Sequence, residues 1–194
     1  MNAMVDNPVE VVLTLDRELD HEVSLVVYGR GGLRLGYEDP LEVYSATQDV
    51  DGIIRISQLD ALVEDLSFWD AVDRTNKMLE PKGLYITHLF QEDQVFLRPD
   101  WEQFIVPVLR PPTRWLKLFR PHTIDLILTK MMRGDDAQDM EDVAFLVRHD
   151  GITADDMEPA FAHVRMPDIP ELREAFERAL PRVRQILASR GALN

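Results

Sequence analysis

The chain has 194 residues, 45% of them hydrophobic and 29% charged, with a net charge of −14. A chain of that length buries one sizeable core with a small helical appendage; its ordinary apolar and charged content argues against wholesale disorder, and its net charge against non-specific DNA coating. The absence of cysteine excludes a disulfide framework and any cysteine-bound zinc or iron–sulfur site, as suits a reducing cytoplasm.

The opening MNAMVDNPVE carries acids where a signal peptide carries basic residues, so no secretory leader is expected. Asn7-Pro8 reads as an N-cap followed by proline at the first helical position, opening a helix to about Asp20. Val23 to Tyr28 is a buried strand by its β-branched and aromatic content. Such apolar runs are far too short to span a bilayer, which predicts a soluble, cytoplasmic protein with no membrane partner. The glycine-rich segment 29–37 turns and starts a short helix. Thr47 to Ile56 reads as a second strand, Ser57 as the N-cap of a helix carrying Leu59, Leu62, Val63 and Leu66, and Ser67 to Leu79 as a further helix stopped by Pro81 and Gly83.

Leu84 to Phe90 and Val95 to Arg98 flank QEDQ, the pattern of a β-hairpin. Within the first of these strands, His88 reads as a core histidine. Pro107, Pro111 and Pro112 mark a connecting loop, and Trp115 to Phe119 one more strand. Helices are expected at about 123–133, 137–149, 153–164 and 169–189, the last with Ile169, Leu172, Phe176, Leu180, Val183 and Leu187 along one face. The predicted fold class is α+β, with an α/β core over residues 1–122 and a C-terminal helical region over 123–194 packed on it.

Charge is unevenly distributed. Residues 1–97 carry 7 basic and 19 acidic side chains, whereas residues 98–133 carry 7 basic against 3 acidic. That basic segment could receive phosphates from a nucleotide or RNA; alternatively its cations balance neighbouring acids. The tryptophans, including Trp115 within this segment, read first as core anchors.

The chemistry concentrates between Gly29 and Asp51. Side chains alternate along a strand, so Asp49 and Asp51 point the same way, roughly 6.6 Å apart along the backbone. Two carboxylates so close repel unless a cation lies between them, and an oxygen-only pair suits Mg2+ or Mn2+. Upstream, Gly29, Gly31 and Gly32 end a strand and begin a helix, where the backbone can approach a phosphate and the helix N-terminus offers free N–H donors. Each piece alone also describes a surface strand or a tight turn; their order gives a coherent nucleotide site. No zinc-ligand spacing of histidines, no G-x-S-x-G and no P-loop sequence occurs, which removes those readings.

The stretch VVYGRGGLRLGY…YSATQDVDGII resembles the signature of the polymerase-beta-like nucleotidyltransferase superfamily. The later DLILTKMMRGDDAQDMEDVAFLV, with a lysine on one helix and D-x-x-D on the next, is similar to the abortive-infection-type minimal nucleotidyltransferases, many of them toxins of bacterial toxin–antitoxin pairs. The resemblance covers about residues 23–150. It implies a nucleotidyltransferase fold, a small mixed sheet flanked by helices, and transfer of a nucleoside monophosphate from a nucleoside triphosphate to an RNA (such as tRNA) or protein acceptor, with an antitoxin protein as partner. It implies that Asp49 and Asp51 hold Mg2+ or Mn2+, that Gly29, Arg30, Gly31 and Gly32 form the phosphate-binding turn, that Lys130 approaches phosphate, and that Asp139 and Asp142, at i and i+3 on one helix face, position Lys130 or substrate. Two departures stand out. Arg30 replaces the glycine or serine usual after the first glycine, and the third carboxylate has only Glu92 and Asp93 as candidates, in a turn. These departures leave a degenerate, binding-only member as the alternative; a plain interaction module with solvated acids is a third reading.

Overall fold

The computed structural model describes residues 6–191, an α+β arrangement whose strands all lie in one five-stranded mixed sheet. The chain divides into two compact units: residues 1–91 with 105–120, and residues 92–104 with 121–194. The linear division at 122/123 does not separate segment 92–104, which lies in the helical unit. Among the described residues, no helix is long and apolar enough to cross a membrane.

In the first unit, the sequence runs α1 (Asn7–Glu18), β1 (Val23–Tyr28), α2 (Gly29–Gly36), β2 (Asp49–Ile54), α3 (Ile56–Glu64), α4 (Leu66–Leu79) and β3 (Tyr85–Gln91), then β4 (Val106–Pro107) and β5 (Leu116–Arg120). The sheet order is β3-β2-β1-β5-β4. Strand β1 pairs antiparallel with β2 and parallel with β5, β2 pairs parallel with β3, and β4 pairs antiparallel with β5. Val23, Leu25 and Val27 of β1, Val50 and Ile54 of β2, and Leu116 and Leu118 of β5 join Val11, Leu15, Phe68 and Val72 of α1 and α4 in one core. Because side chains alternate along a strand, Tyr28, Asp49 and Asp51 are turned to the opposite face.

Local signals account for most boundaries. Helix α1 is capped at Asp6, one residue earlier than expected, and the Asp6 carboxylate accepts from the Arg34 guanidinium at 2.7 Å instead of capping its own helix. Helix α3 begins at Ile56 with Arg55 as its cap, so Ser57 sits inside the first turn; α4 is capped by Asp65, whose carboxylate accepts the Phe68 N–H. The exposed edge of β3 is partly closed by Asn76, whose side-chain amide both accepts from and donates to the Ile86 backbone at 2.8 and 3.0 Å. A side chain that satisfies edge-strand groups in this way blocks pairing with another chain.

The predicted hairpin over 84–98 does not form. Strand β3 instead pairs parallel with β2, Glu92–Gln94 is a 3-10 turn, and residues 95–98 belong to the second unit, where Leu97 bridges Arg165. The physical reason is the pairing available: Leu84 and Ile86 find apolar partners in the core of α1 and α4, whereas Phe96 meets Phe176 edge-on. The proline-rich connection contains the short strand β4, which proline permits at a sheet edge.

The second unit comprises α5 (Thr123–Lys130), α6 (Ala137–Asp150), α7 (Ala154–His163) and α8 (Pro170–Gly191), with segment 92–104 packed among them. Two ion pairs tie that segment in. Arg98 grips the fully buried Asp125 through its backbone N–H and its guanidinium, and Glu92 accepts from Arg165 at 2.6 Å. Helix α7 carries the capping box Thr153–Asp156.

Asp16, buried on α1, ties two segments of the first unit together. Its carboxylate accepts the consecutive backbone N–H groups of Arg114, Trp115 and Leu116 at 2.8–3.0 Å, pinning α1 to the start of β5. Burial alone would raise its pKa, but those three amide donors and Lys117 bring it below the ordinary aspartate value. Its contribution to stability is therefore present at neutral pH and lost as pH falls through its lowered pKa. Asp16→Ala is expected to cost about 3 kcal/mol at pH 7 by denaturant titration, with the difference from wild type narrowing in acid.

Candidate functional site

The end of β1, the turn into α2 and the beginning of β2 converge within the first unit. Tyr28 and Asp51 are direct partners across the β1–β2 ladder. Gly29 then takes a left-handed φ of +63°, and a Cβ there would lie 3.3 Å from Asp51 Oδ2. The chain thus turns into α2 immediately beside a carboxylate oxygen. Gly31 and Gly32 have a packing role: both are buried on the sheet. A Cβ on Gly32 would stand 2.9 Å from the Val27 carbonyl oxygen, and one on Gly31 would stand 3.1 Å from that of Asp49. Glycine at these two positions lets α2 lie directly on β1 and β2. Arg30, on the second residue of α2, lies over the Tyr44 ring at 5.7 Å.

Asp49 is exposed, whereas Asp51 is partly buried. Two groups on β3 engage Asp51 Oδ1: the Thr87 hydroxyl donates to it at 2.7 Å and His88 Nδ1 lies 3.4 Å away. Both reach it because the β2–β3 register slips between Val50 and Gly52. Val50 opposes Ile86 and Gly52 opposes Leu89, so Asp51 alone faces Thr87 and His88. One extra residue on a strand re-aims its neighbours in this way, a bulge. His88 is consequently not a core histidine; its side chain is 61% exposed and stacks on Phe90 with ring centroids 5.1 Å apart. Sequence alternation missed Thr87 and His88 because a bulge interrupts the period on which it relies.

Burial pushes the Asp51 carboxyl above the ordinary aspartate value, with the Asp49 charge adding to the shift and the Thr87 and His88 contacts opposing it. The Tyr28 hydroxyl is likewise raised, first by burial and then by both aspartates. The pair therefore sits in a locally negative field. Its donor set fits Mg2+ or Mn2+, which take oxygen ligands and complete their shells with water and phosphate oxygens. Among the described residues, no three His, Asp or Glu side chains converge to form an all-protein metal cage.

The other residues singled out in the sequence lie in the second unit. Lys130 is buried and donates to Asp139 Oδ1 at 3.0 Å and Asp142 Oδ2 at 2.7 Å, while Arg133 donates to Asp139 Oδ2 at 2.6 Å. Burial alone would raise the Asp139 pKa, but Arg133 and Lys130 hold it below the ordinary value. The geometry thus brings together the lysine and the D-x-x-D, as an ion cluster joining α5 to α6. Glu92 is buried in its pair with Arg165, and Asp93 is exposed; both belong to this unit.

The basic segment 98–133 spends most of its charge internally. Arg98 serves Asp125, Arg120 donates to the Gly36 carbonyl and covers Tyr37, Lys117 faces Glu22 at 3.6 Å, and Lys130 and Arg133 serve the D-x-x-D. Arg114 lies over Trp115 at 4.5 Å. Charge balance accounts for this segment better than a nucleic-acid face. No family model, curated protein or solved structure matches the chain.

Two measurements check these assignments. Lys130→Met leaves two buried carboxylates short of their shared cation, so a loss of about 3–5 kcal/mol is expected by chemical denaturation. For Asp51, a raised folded pKa means that its favourable contribution belongs to the protonated form and is lost as pH rises. Asp51→Asn should accordingly raise the thermal midpoint at neutral pH in metal-free buffer, with the gain shrinking towards acid pH.

Proposed function

We propose that the chain is a metal-dependent nucleotidyltransferase of the minimal, abortive-infection type, with a nucleotidyltransferase fold in its first unit and Asp49 and Asp51 as the metal-binding pair. The observation that carries this reading is the placement of Asp51 Oδ2 beside Gly29, where a strand turns into the N-terminus of α2. A divalent cation bound to the aspartates would offset their mutual repulsion and screen triphosphate charge. The chain's own residues supply the rest. The first N–H groups of α2, which follows a left-handed glycine, have no partner within the helix and would favour an anionic phosphate at its N-terminus. Arg30 adds a cation at the same turn.

The reaction is in-line attack of an acceptor hydroxyl on the α-phosphate of a nucleoside triphosphate. A bond forms between the acceptor oxygen and the α-phosphorus, the bond to the bridging oxygen breaks, pyrophosphate leaves and the hydroxyl proton passes to solvent. An RNA, including tRNA, or a protein serves as acceptor, and an antitoxin protein as the natural restraint. In this reading Lys130, Asp139 and Asp142 carry the roles that the resemblance implies for them, in addition to holding α5 to α6.

A second reading, a degenerate member that binds nucleotide without transferring it, is favoured by one feature: Glu92, a candidate third carboxylate, is committed to Arg165. The deciding experiment incubates the protein with Mg2+ or Mn2+, each α-labelled nucleoside triphosphate, and total RNA and cell protein, beside an Asp49→Asn, Asp51→Asn double variant. Label transferred by the wild type alone is the expected result. Magnesium-dependent nucleotide binding without transfer would favour the binding-only reading, and equal behaviour of the double variant would sink the site.

A further inference from the structure

On the metal-binding reading of Asp49 and Asp51, we infer that Thr87 is a positioning residue that decides which oxygen of Asp51 meets the cation. The Thr87 hydroxyl donates to Asp51 Oδ1 at 2.7 Å, and His88 Nδ1 approaches the same oxygen at 3.4 Å. Oδ2, on the other side of the carboxylate, is the oxygen beside Gly29 and the start of α2. The two oxygens therefore divide their work. Oδ1 is anchored to β3, and Oδ2 is presented where phosphate and cation would meet.

The anchor depends on the bulge. With regular pairing, a single β3 residue would oppose Asp51; the slip between Val50 and Gly52 places two there and brings the Thr87 hydroxyl within hydrogen-bond reach. A carboxylate on a strand otherwise rotates about its terminal torsion, which is broad. One hydrogen bond from a fixed neighbour narrows that rotation, and partners of this kind commonly change metal affinity 10- to 100-fold when removed. Thr87 itself is exposed, so replacing its hydroxyl by the methyl of valine keeps shape and β-propensity without opening a core cavity. His88 is the weaker anchor, since 3.4 Å is long for a hydrogen bond.

The test is binding of Mn2+ alone to the full chain, followed by electron paramagnetic resonance at fixed neutral pH, for wild type, Thr87→Val, Thr87→Ser and Asp51→Asn. Thr87→Val is expected to weaken Mn2+ binding about tenfold, Thr87→Ser to restore it to within about twofold, and Asp51→Asn to abolish it. Thermal midpoints measured on the metal-free proteins should be alike for wild type, Thr87→Val and Thr87→Ser, which separates positioning from folding. Wild-type affinity in Thr87→Val, with Asp51→Asn still inactive in binding, would overturn the role of Thr87 and leave the metal site standing. Equal weakening in the serine and valine variants would show that the hydroxyl is not the anchor. A wild type that fails to bind Mn2+ would overturn both the inference and the metal-binding reading beneath it.

Discussion

The arrangement of the first unit depends on how closely α2 can lie on the sheet. Gly31 and Gly32 remove the two Cβ atoms that would strike the backbone of β2 and β1, and the helix settles directly over the strand ends. Everything at the candidate site is downstream of that approach. It sets where Gly29 must turn, why the turn needs a left-handed φ, and how near the beginning of α2 comes to Asp51. A methyl group at position 32 would lift the helix and carry the turn away from the carboxylate.

The same unit uses the two faces of one sheet differently. On one face, β1, β2 and β5 contribute the apolar core with α1 and α4, and Asp16 locks α1 to β5 with an ionised group whose every bond is made to backbone amides. On the other face, Asp49 and Asp51 lie close together with a raised pKa on Asp51, a local cost to the folded chain. Strain of this electrostatic kind is what a bound cation relieves. The contrast between Asp16, lowered by donors, and Asp51, raised by burial and a like charge, follows from surroundings alone.

The helical unit uses charge in a third way. Its buried acids are each matched: Asp125 by Arg98, Glu92 by Arg165, Asp139 by Lys130 and Arg133, Asp142 by Lys130. Removal of one partner from such a cluster strands the other in a poorly solvating interior, so the clusters specify which segments belong together. That is how residues 92–104, distant in sequence from α5 and α7, come to reside with them.

The period of the sequence alone determined the helices from Thr123 onward, the strands β1, β2 and β5, and the shared face of Asp49 and Asp51, because these depend on local alternation and spacing. The shared helix face of Asp139 and Asp142 was also legible from their i, i+3 spacing, whereas Lys130 beside them was only what the resemblance implied. Tertiary structure decided the rest. Leu84 to Phe90 and Val95 to Arg98 look like two arms of a hairpin, yet the first pairs with β2 and the second joins the helical unit, a choice made by partners far away in sequence. Glycines 31 and 32 read as a phosphate turn, and only the structure shows the strand backbone that their missing Cβ atoms let α2 approach. Thr87 gave no signal and His88 read as a core residue, because a bulge is a mismatch between two strands and cannot be seen in either strand alone.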